Sequence, residues 1–593
     1  MSVTAAGTVE RPRGLSWLWK RQLDSYPETA QRMTYLGITV LSTVMLYYEL
    51  YVGGSVSTLF LAKLHMSFSF LVYTLAIGNL LGAFGSLLAG LTDRLGRTNL
   101  VVVGLIVSAV FVGFIIPLST NKWEFTIFGF IVGVVEGICL VATPALIRDF
   151  SPQVGRGTAM GFWTSGPVLG SLIVAVVASH TIGATPSPSF WTHEYHICGI
   201  AGLVVAAIAL VGLRELSPGL RDQLMVTMHD RALIEARAKG LDIESALRNP
   251  WRQLLKLDVV VSALGISLFL LVYYTAVGFG LIYFVTVFGF TVKNGNGLGN
   301  WNWGFNVIAV ILFGIISDRL RVRKPFMIIG GVAAAVMMVI YLEQAGHHPS
   351  YYTLAIIVAA LSFCLGVAYV PWMASFTETV EARNPALTAT GLAIWGWIIR
   401  VIVFVSYLIL PSVINTVTPL VQYGSTVQVQ AAKYSTQIAD AQRLGPELAV
   451  IQAHPALFTQ LAANPTPALI AQAEQVAGPQ VFGQIVANQK AIVGVIAAAS
   501  APGDAALFGT SHGKALNGFN YVVAHGTQVV NASKHNAGKW KDWYWICFGG
   551  MIAFLFTVPL VRGRWSPKQA RADEEAHEAL VQAELAKLHT ATA

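Results

Sequence analysis

Charge is what this sequence has least of: only 11% of its 593 residues are Asp, Glu, Lys or Arg, under half the share of an ordinary soluble domain. That scarcity excludes a chain whose main solvent is water. Cysteine is scarce as well. The four present, Cys139, Cys198, Cys364 and Cys547, show no CxxC spacing and lie in or beside apolar stretches, which excludes a disulfide framework and a thiolate metal site. The thirteen histidines read as loop and tail residues, so a haem or zinc centre inside a membrane has no ligands. No GxxxxGK[ST] phosphate loop is present for ATP use, and no cofactor is expected. Segments of about ten residues alternating apolar and polar, the mark of a membrane barrel, are missing too. The opening MSVTAAGTVERPRGLSWLWKRQLDSYPETAQR lacks the apolar core of a signal peptide, which predicts an amino terminus that stays in the cytoplasm.

What is present is long apolar runs, with 55% of residues hydrophobic. A bilayer core about 30 Å thick takes roughly 20 apolar residues per helical crossing. Twelve stretches meet that length, near 34–56, 67–91, 98–118, 124–147, 158–181, 196–214, 258–290, 299–317, 326–343, 352–376, 388–411 and 542–562. With the first residue inside, 27 of the 38 Lys and Arg fall in inside segments, and the short outside loops hold only Lys63, Lys122 and Lys293. Cytoplasmic loops carry that excess, so the formal charge of +8 is a topology signal. The basic residues are dispersed among loops, which argues against a nucleic-acid partner. Both termini are expected in the cytoplasm of a cell, plasma or bacterial inner, membrane.

The spans divide into six and six. Residues 1–33 form a cytoplasmic lead, 34–214 a first six-helix bundle, 215–257 a polar central loop, 258–411 helices seven to eleven, 412–541 an extracytoplasmic insertion, 542–562 helix twelve and 563–593 a charged cytoplasmic tail. The insertion contains helically spaced apolar residues in P446-E-L-A-V-I-Q-A-H-P-A-L-F-T-Q-L461 and P479-Q-V-F-G-Q-I-V-A-N-Q-K-A-I-V-G-V-I496, which predicts a small helical cap. Surface decoration is its simplest role, ligand binding the alternative. Each half also repeats a pattern. G90-L-T-D-R-L-G-R97 after the second span is answered by G314-I-I-S-D-R-L-R-V-R-K324 after the eighth. R148-D-F-S-P-Q-V-G-R-G-T-A-M-G161 after the fourth is answered by F376-T-E-T-V-E-A-R-N-P-A-L-T-A-T-G391 after the tenth.

On these motifs the sequence resembles the major facilitator superfamily of secondary transporters, in particular its metabolite:proton symporters. T92-D-R-L-G-R97 looks like the family's hallmark between helices two and three, and Ser317–Leu320 with Arg323 and Lys324 resembles its degenerate second copy. The resemblance covers roughly 34–411 and 542–562. It implies an all-α membrane protein of twelve transmembrane helices in two pseudo-symmetric six-helix bundles, acting as a monomer. Two departures stand out: Ala89 replaces a usual glycine in the first copy, with Gly90 beside it, and Arg321 replaces one in the second. Asp93, Arg94 and Arg97, with Asp318 and Arg319, become candidate gating residues, because a carboxylate at a helix end accepts from neighbouring backbone donors in one arrangement and loses them in the other. G161-F-W-T-S-G-P-V-L-G170 resembles the glycine-proline signature of proton-coupled efflux antiporters, with Ser171 where a second glycine is usual. The arginine such antiporters carry in the fourth helix is Gly133 here.

Three ionisable groups fall deep in the spans: Glu49, Glu136 and Arg400. Each costs about 2.5–3.5 kcal/mol at a helix centre, so all three should face the interior. A Glu136–Arg400 pair would cross between the halves. Arg400 can hold a carboxylate or phosphate in a fixed fork while a buried glutamate carries a proton that releases it; a permanent ion pair and snorkelling to the interface are the alternatives. By the superfamily pattern, helices one, four, seven and ten line the cavity. That places Tyr47, Tyr48, Tyr273, Tyr274, Tyr369 and Trp372 beside the substrate; Pro144 and Pro371 stand at matching late positions, as breaks that point to a midplane site or as simple bends. The expected function is proton-coupled symport of a small organic anion by alternating access, with the substrate, protons and the lipid bilayer as partners. Proton-coupled efflux and a transporter-like sensor without net flux are the alternatives.

Overall fold

The computed structural model describes residues 21–87, 96–151, 162–217, 220, 254–383, 388–508, 510–511, 513–561, 565–569, 571–572, 575–576, 579 and 582. Most of the central loop and the end of the tail therefore lie outside the described residues. The chain forms two compact units, Met1–Asn415 with Asn536–Ala593, and Thr416–His535.

The first unit is built from apolar helices. Ten helices among the described residues are long and apolar enough to cross a bilayer. In chain order, with Phe68–Leu87 and Gly166–Thr181 added, the helices are α1 Thr29–Ser55, α2 Phe68–Leu87, α3 Arg97–Leu118, α4 Lys122–Phe150, α5 Gly166–Thr181, α6 Trp191–Gly212, α7 Leu257–Phe288, α8 Val292–Leu320, α9 Lys324–Glu343, α10 Tyr351–Arg383, α11 Thr388–Val413 and α12 Gly518–Thr557, of which the part from Asn536 belongs to this unit. This is the twelve-helix, all-α architecture expected. Several helices start well before their apolar runs. α8 takes in the polar VKNGNGLGN because the Thr291 side chain caps its first turn, accepting from the Asn294 N–H at 3.2 Å. α12 begins 24 residues ahead of the apolar stretch at 542–562.

Irregularities sit at defined points. α4 and α10 run on through Pro144 and Pro371 without ending, so of the two readings, break or bend, neither proline makes a break. The interruption occurs instead in α7 at Leu270, between Leu257–Phe269 and Leu271–Phe288. α3 widens into a π turn at Phe111–Ile115 just before Pro117. Pro117 has no N–H for the carbonyl of Gly113, and the His196 ring of α6 meets that carbonyl at 2.5 Å. His196, His193 and His180 are helical residues, not the loop residues the sequence suggested. Gly113 and Gly199 bring the two backbones so close that a Cβ on Gly113 would lie 2.7 Å from the Gly199 Cα.

On the face where α1 begins and α12 ends, the lead residues Gln22–Leu23 pair in parallel with Glu215–Leu216. Arg21, only 2% exposed, donates to the Ala209 carbonyl at 3.2 Å, and burial lowers its pKa. On the opposite, distal face the two bundles touch. Asn296 of α8 donates to the Ser55 carbonyl at the end of α1 and to Val292 O, both at 2.9 Å, and Asn300 donates to Ser179 Oγ of α5 at 2.9 Å. A Cβ on Gly54 would sit 2.5 Å from the Val277 carbonyl of α7. Such close approach is how small residues let membrane helices pack.

The second unit is a run of short helices: Ser425–Lys433, Ser435–Arg443, Gly445–Ala453, Pro455–Ala463, Pro467–Ala477, Pro479–Ala487 and Gln489–Ser500. Proline in the first turn opens four of them, the position where its missing N–H is not needed. Leu444, Phe458, Ala473, Ile485 and Ile492 form its core.

Candidate functional site

Arg400 lies midway along α11, partly exposed, and the Asn79 amide of α2 donates to its backbone carbonyl at 3.2 Å, joining the bundles at that level. One turn earlier Gly396 leaves space beside the guanidinium: a Cβ there would be 3.9 Å from Nη1. Among the described residues Arg400 makes no ion pair. The expected pair with Glu136 is therefore not formed. Tyr47 of α1 and Tyr274 of α7 lie within electrostatic reach of Arg400, and Tyr47 also within reach of Glu136. Tyr369 of α10 joins Tyr47 and Tyr274.

Two other aromatic residues depart from expectation. Tyr48, 3% exposed, turns to α6, within reach of Cys198 and Glu194. Consecutive helical residues point about 100° apart, which here turns Tyr48 away from the side that Tyr47 takes. Trp372 is fully buried, donates to Ser262 Oγ at 2.9 Å and stacks on Phe376. Its polar tip is already satisfied, and it packs α10 against α7.

Glu49 and Glu136 are brought together, each within reach of the other, in the interior of the first bundle. They are 3% and 1% exposed, and among the described residues neither oxygen of either carboxyl has a bonding partner. Gly202 of α6 makes the room: a Cβ there would collide with Glu49 Oε1 and crowd Ala109 of α3. The glycine-proline motif packs helices, as glycines in a membrane helix permit. Gly166 and Gly170 let α5 press on α1, where a Cβ on Gly170 would lie 2.6 Å from that of Tyr47.

The hallmark residues are only partly described; Asp93 and Arg94 lie outside the described residues. Arg97 donates to both Asp149 oxygens at 2.8 Å, tying α3 to α4 within one bundle. In the second copy Asp318 is met by Arg323 at 2.7 Å, and Arg323 also reaches Glu378 of α10 at 3.0 Å. Arg319 is exposed and makes no ion pair among the described residues, so the basic partner of this copy is Arg323, four residues further on. Arg97–Asp149 and Arg323–Glu378 are thus equivalent bolts in the two halves, and both acids stand in the second repeated motif. The turns match too. Gly96 has φ +89° and Arg321 φ +56°, so the arginine in the glycine place adopts the left-handed backbone. Beside the first turn, Glu215 accepts from the Thr98 N–H at 3.3 Å.

Between the distal halves of the bundles lies a cavity of about 80 Å³ lined by Tyr51 of α1, Ser171 of α5, Tyr273 of α7, Asn302 and Trp303 of α8, and Ser362 of α10 among others. No group of three or more metal-ligating side chains occurs among the described residues.

Comparison with known proteins places this arrangement. The Efflux pump radE of Floropilus chiversii is 26% identical over 258 residues, 40% of this chain and 47% of that protein, so the chain spans about half the length of the curated relative it matches. Among solved structures, a bacterial homolog of the human lysosomal transporter Spinster, inward-facing and unoccupied, shares 15% identity with a TM-score of 0.49, covering 91% of this chain and 100% of that one. The inward open xylose transporter XylE from E. coli shares 19% with a TM-score of 0.48, covering 64% and 89%. The Major Facilitator Superfamily model matches residues 31–414, well over half of the sequence and both bundles up to the end of α11, and the chain belongs to that superfamily of membrane transporters.

Proposed function

We propose that the protein is a proton-coupled symporter of a small organic anion, working by alternating access with Arg400 holding the anion and Glu136 and Glu49 carrying the proton. The observation that carries this reading is the separation of charges. Two carboxyls without bonding partners sit inside one bundle, while the cation on the other makes no ion pair among the described residues. A buried, unpaired carboxylate is expensive, so the acid pair is tolerated with protons on it, and a free guanidinium offers a bidentate fork to a carboxylate. Tyr47, in reach of both, couples the two. The bolts at Arg97 and Arg323 keep each bundle rigid as they rock. Both termini face the cytoplasm of a plasma or bacterial inner membrane.

The test is uptake of a panel of radiolabelled carboxylates into proteoliposomes under an inward proton gradient. Uptake should depend on the gradient, be lost in Arg400→Ala, and persist as uncoupled exchange in Glu136→Gln. An Arg400→Ala protein that still moves anions at the parent rate ends the assignment. The second reading, proton-coupled efflux, is favoured by the likeness to an efflux pump and by the glycine-proline motif on α5. The same gradient would then accelerate loss of a preloaded compound.

A further inference from the structure

The distal cavity and the Arg400 region adjoin along α1 and α7. Tyr51, which lines the cavity, lies one helical turn from Tyr47, with ring centroids 5.5 Å apart. Tyr273, also lining it, stands edge-on to Tyr274 at 5.3 Å and to Trp303 at 5.3 Å. Tyr47 and Tyr274 are the two tyrosines in reach of Arg400. Two tyrosine pairs, one from each bundle, therefore lead from a cation to a chamber. None of the residues lining that chamber is Asp, Glu, Lys, Arg or His. Its polar groups are hydroxyls and amides, and the buried Tyr273 hydroxyl lies within reach of the Tyr51 and Ser171 hydroxyls.

We propose that the substrate is a monoanion with an uncharged, partly apolar body, of the arylalkyl or branched alkyl carboxylate class, whose carboxylate faces Arg400 while the body fills the chamber between Tyr51, Tyr273 and Trp303. This rests on the anion reading of Arg400 and adds the charge and size of the rest of the molecule. A second charge in the chamber would be stripped of water with no counter-charge to meet it. Tyrosine and tryptophan faces suit an aromatic or branched group. At about 10–15 Å³ of such volume per water, 80 Å³ takes roughly six water-sized centres, the bulk of one six-membered ring.

The experiment is thermal unfolding of the purified full chain with four probes: phenylacetate, acetate, phenylacetamide and 1,4-phenylenediacetate. A ligand that binds only the folded state raises the midpoint according to its concentration over Kd. Phenylacetate should protect at a concentration roughly tenfold below acetate, the scale of a small apolar contact, with the amide and the dianion far weaker. Ala276→Trp, which fills the chamber, should erase the preference for phenylacetate over acetate, whereas Arg400→Gln should remove protection by both; Ala276→Leu is the milder filling if the tryptophan does not fold. If phenylacetamide protects as well as phenylacetate and Arg400→Gln alters neither, the anion reading falls. If protection runs through Arg400 but the dianion protects equally, or filling the chamber leaves the preference unchanged, the chamber assignment alone is overturned. Protection by none of the four overturns both.

Discussion

Replacing Asn296 by alanine should weaken one arrangement of the bundles and not the fold of either. Asn296, 6% exposed, bridges α8 to the Ser55 carbonyl at the C-terminus of α1, where the helix itself supplies no donor. Deleting the amide leaves that carbonyl without this donor, at about 1–3 kcal/mol. The loss is confined to the state in which the distal halves meet. It therefore converts into a population shift of roughly 5- to 150-fold toward distal opening. Spin labels at Lys63→Cys and Lys293→Cys, two exposed distal positions, in a protein with its native cysteines replaced, would report this by pulsed electron–electron resonance as a longer distance population. Asn306→Ala is the control. Asn306 is equally buried and donates to the Ser362 carbonyl at 2.8 Å, but both belong to the second bundle, so its loss should lower thermal stability without moving the labels. Identical distance distributions in the Asn296 variant and the parent, or an equal shift in the Asn306 control, would refute the reasoning.

Three further outcomes are expected. Gly202→Ala drives a methyl into the Glu49 carboxyl and should cost about 1–3 kcal/mol by overpacking, with Glu49→Ala restoring the unfolding midpoint in the double variant. Arg321→Gly removes the cost of a left-handed non-glycine residue, about 1–2 kcal/mol, and should raise the midpoint, whereas Gly96→Ala, at φ +89° and 2.6 Å from Glu215 Oε1, should lower it. Arg97→Ala breaks a pair whose side chains are only 18% and 11% exposed and should cost about 3–5 kcal/mol; Arg323→Ala, whose partners are 69% and 44% exposed, should cost roughly 1 kcal/mol or less.

The twelve crossings were legible because an apolar run of span length has few other uses in water. What hydropathy cannot carry is rotation. α1, α4 and α11 are apolar on most sides, so nothing in their pattern said that Glu136 would meet Glu49 and not Arg400, or that Tyr47 and not Tyr48 would face the cleft. The break at Leu270 was silent as well, since no proline or glycine marks it. Likewise the two bolts needed the left-handed turn at Arg321 to decide which of Arg319 and Arg323 reaches a carboxylate. Gly202 could not be singled out among 55 glycines until the carboxyl it makes room for was in place.

The buried acids also bear on biogenesis. α1 is the least apolar of the ten long spans and precedes α4 and α6 in the chain, carrying Glu49 before α4 brings Glu136 and well before α6 delivers the notch at Gly202. Until α6 is threaded, that carboxyl lacks the wall that encloses it. This crossing is thus a provisional one during synthesis, and a nascent chain stalled ahead of α6 should slip back out or be destroyed by membrane quality control.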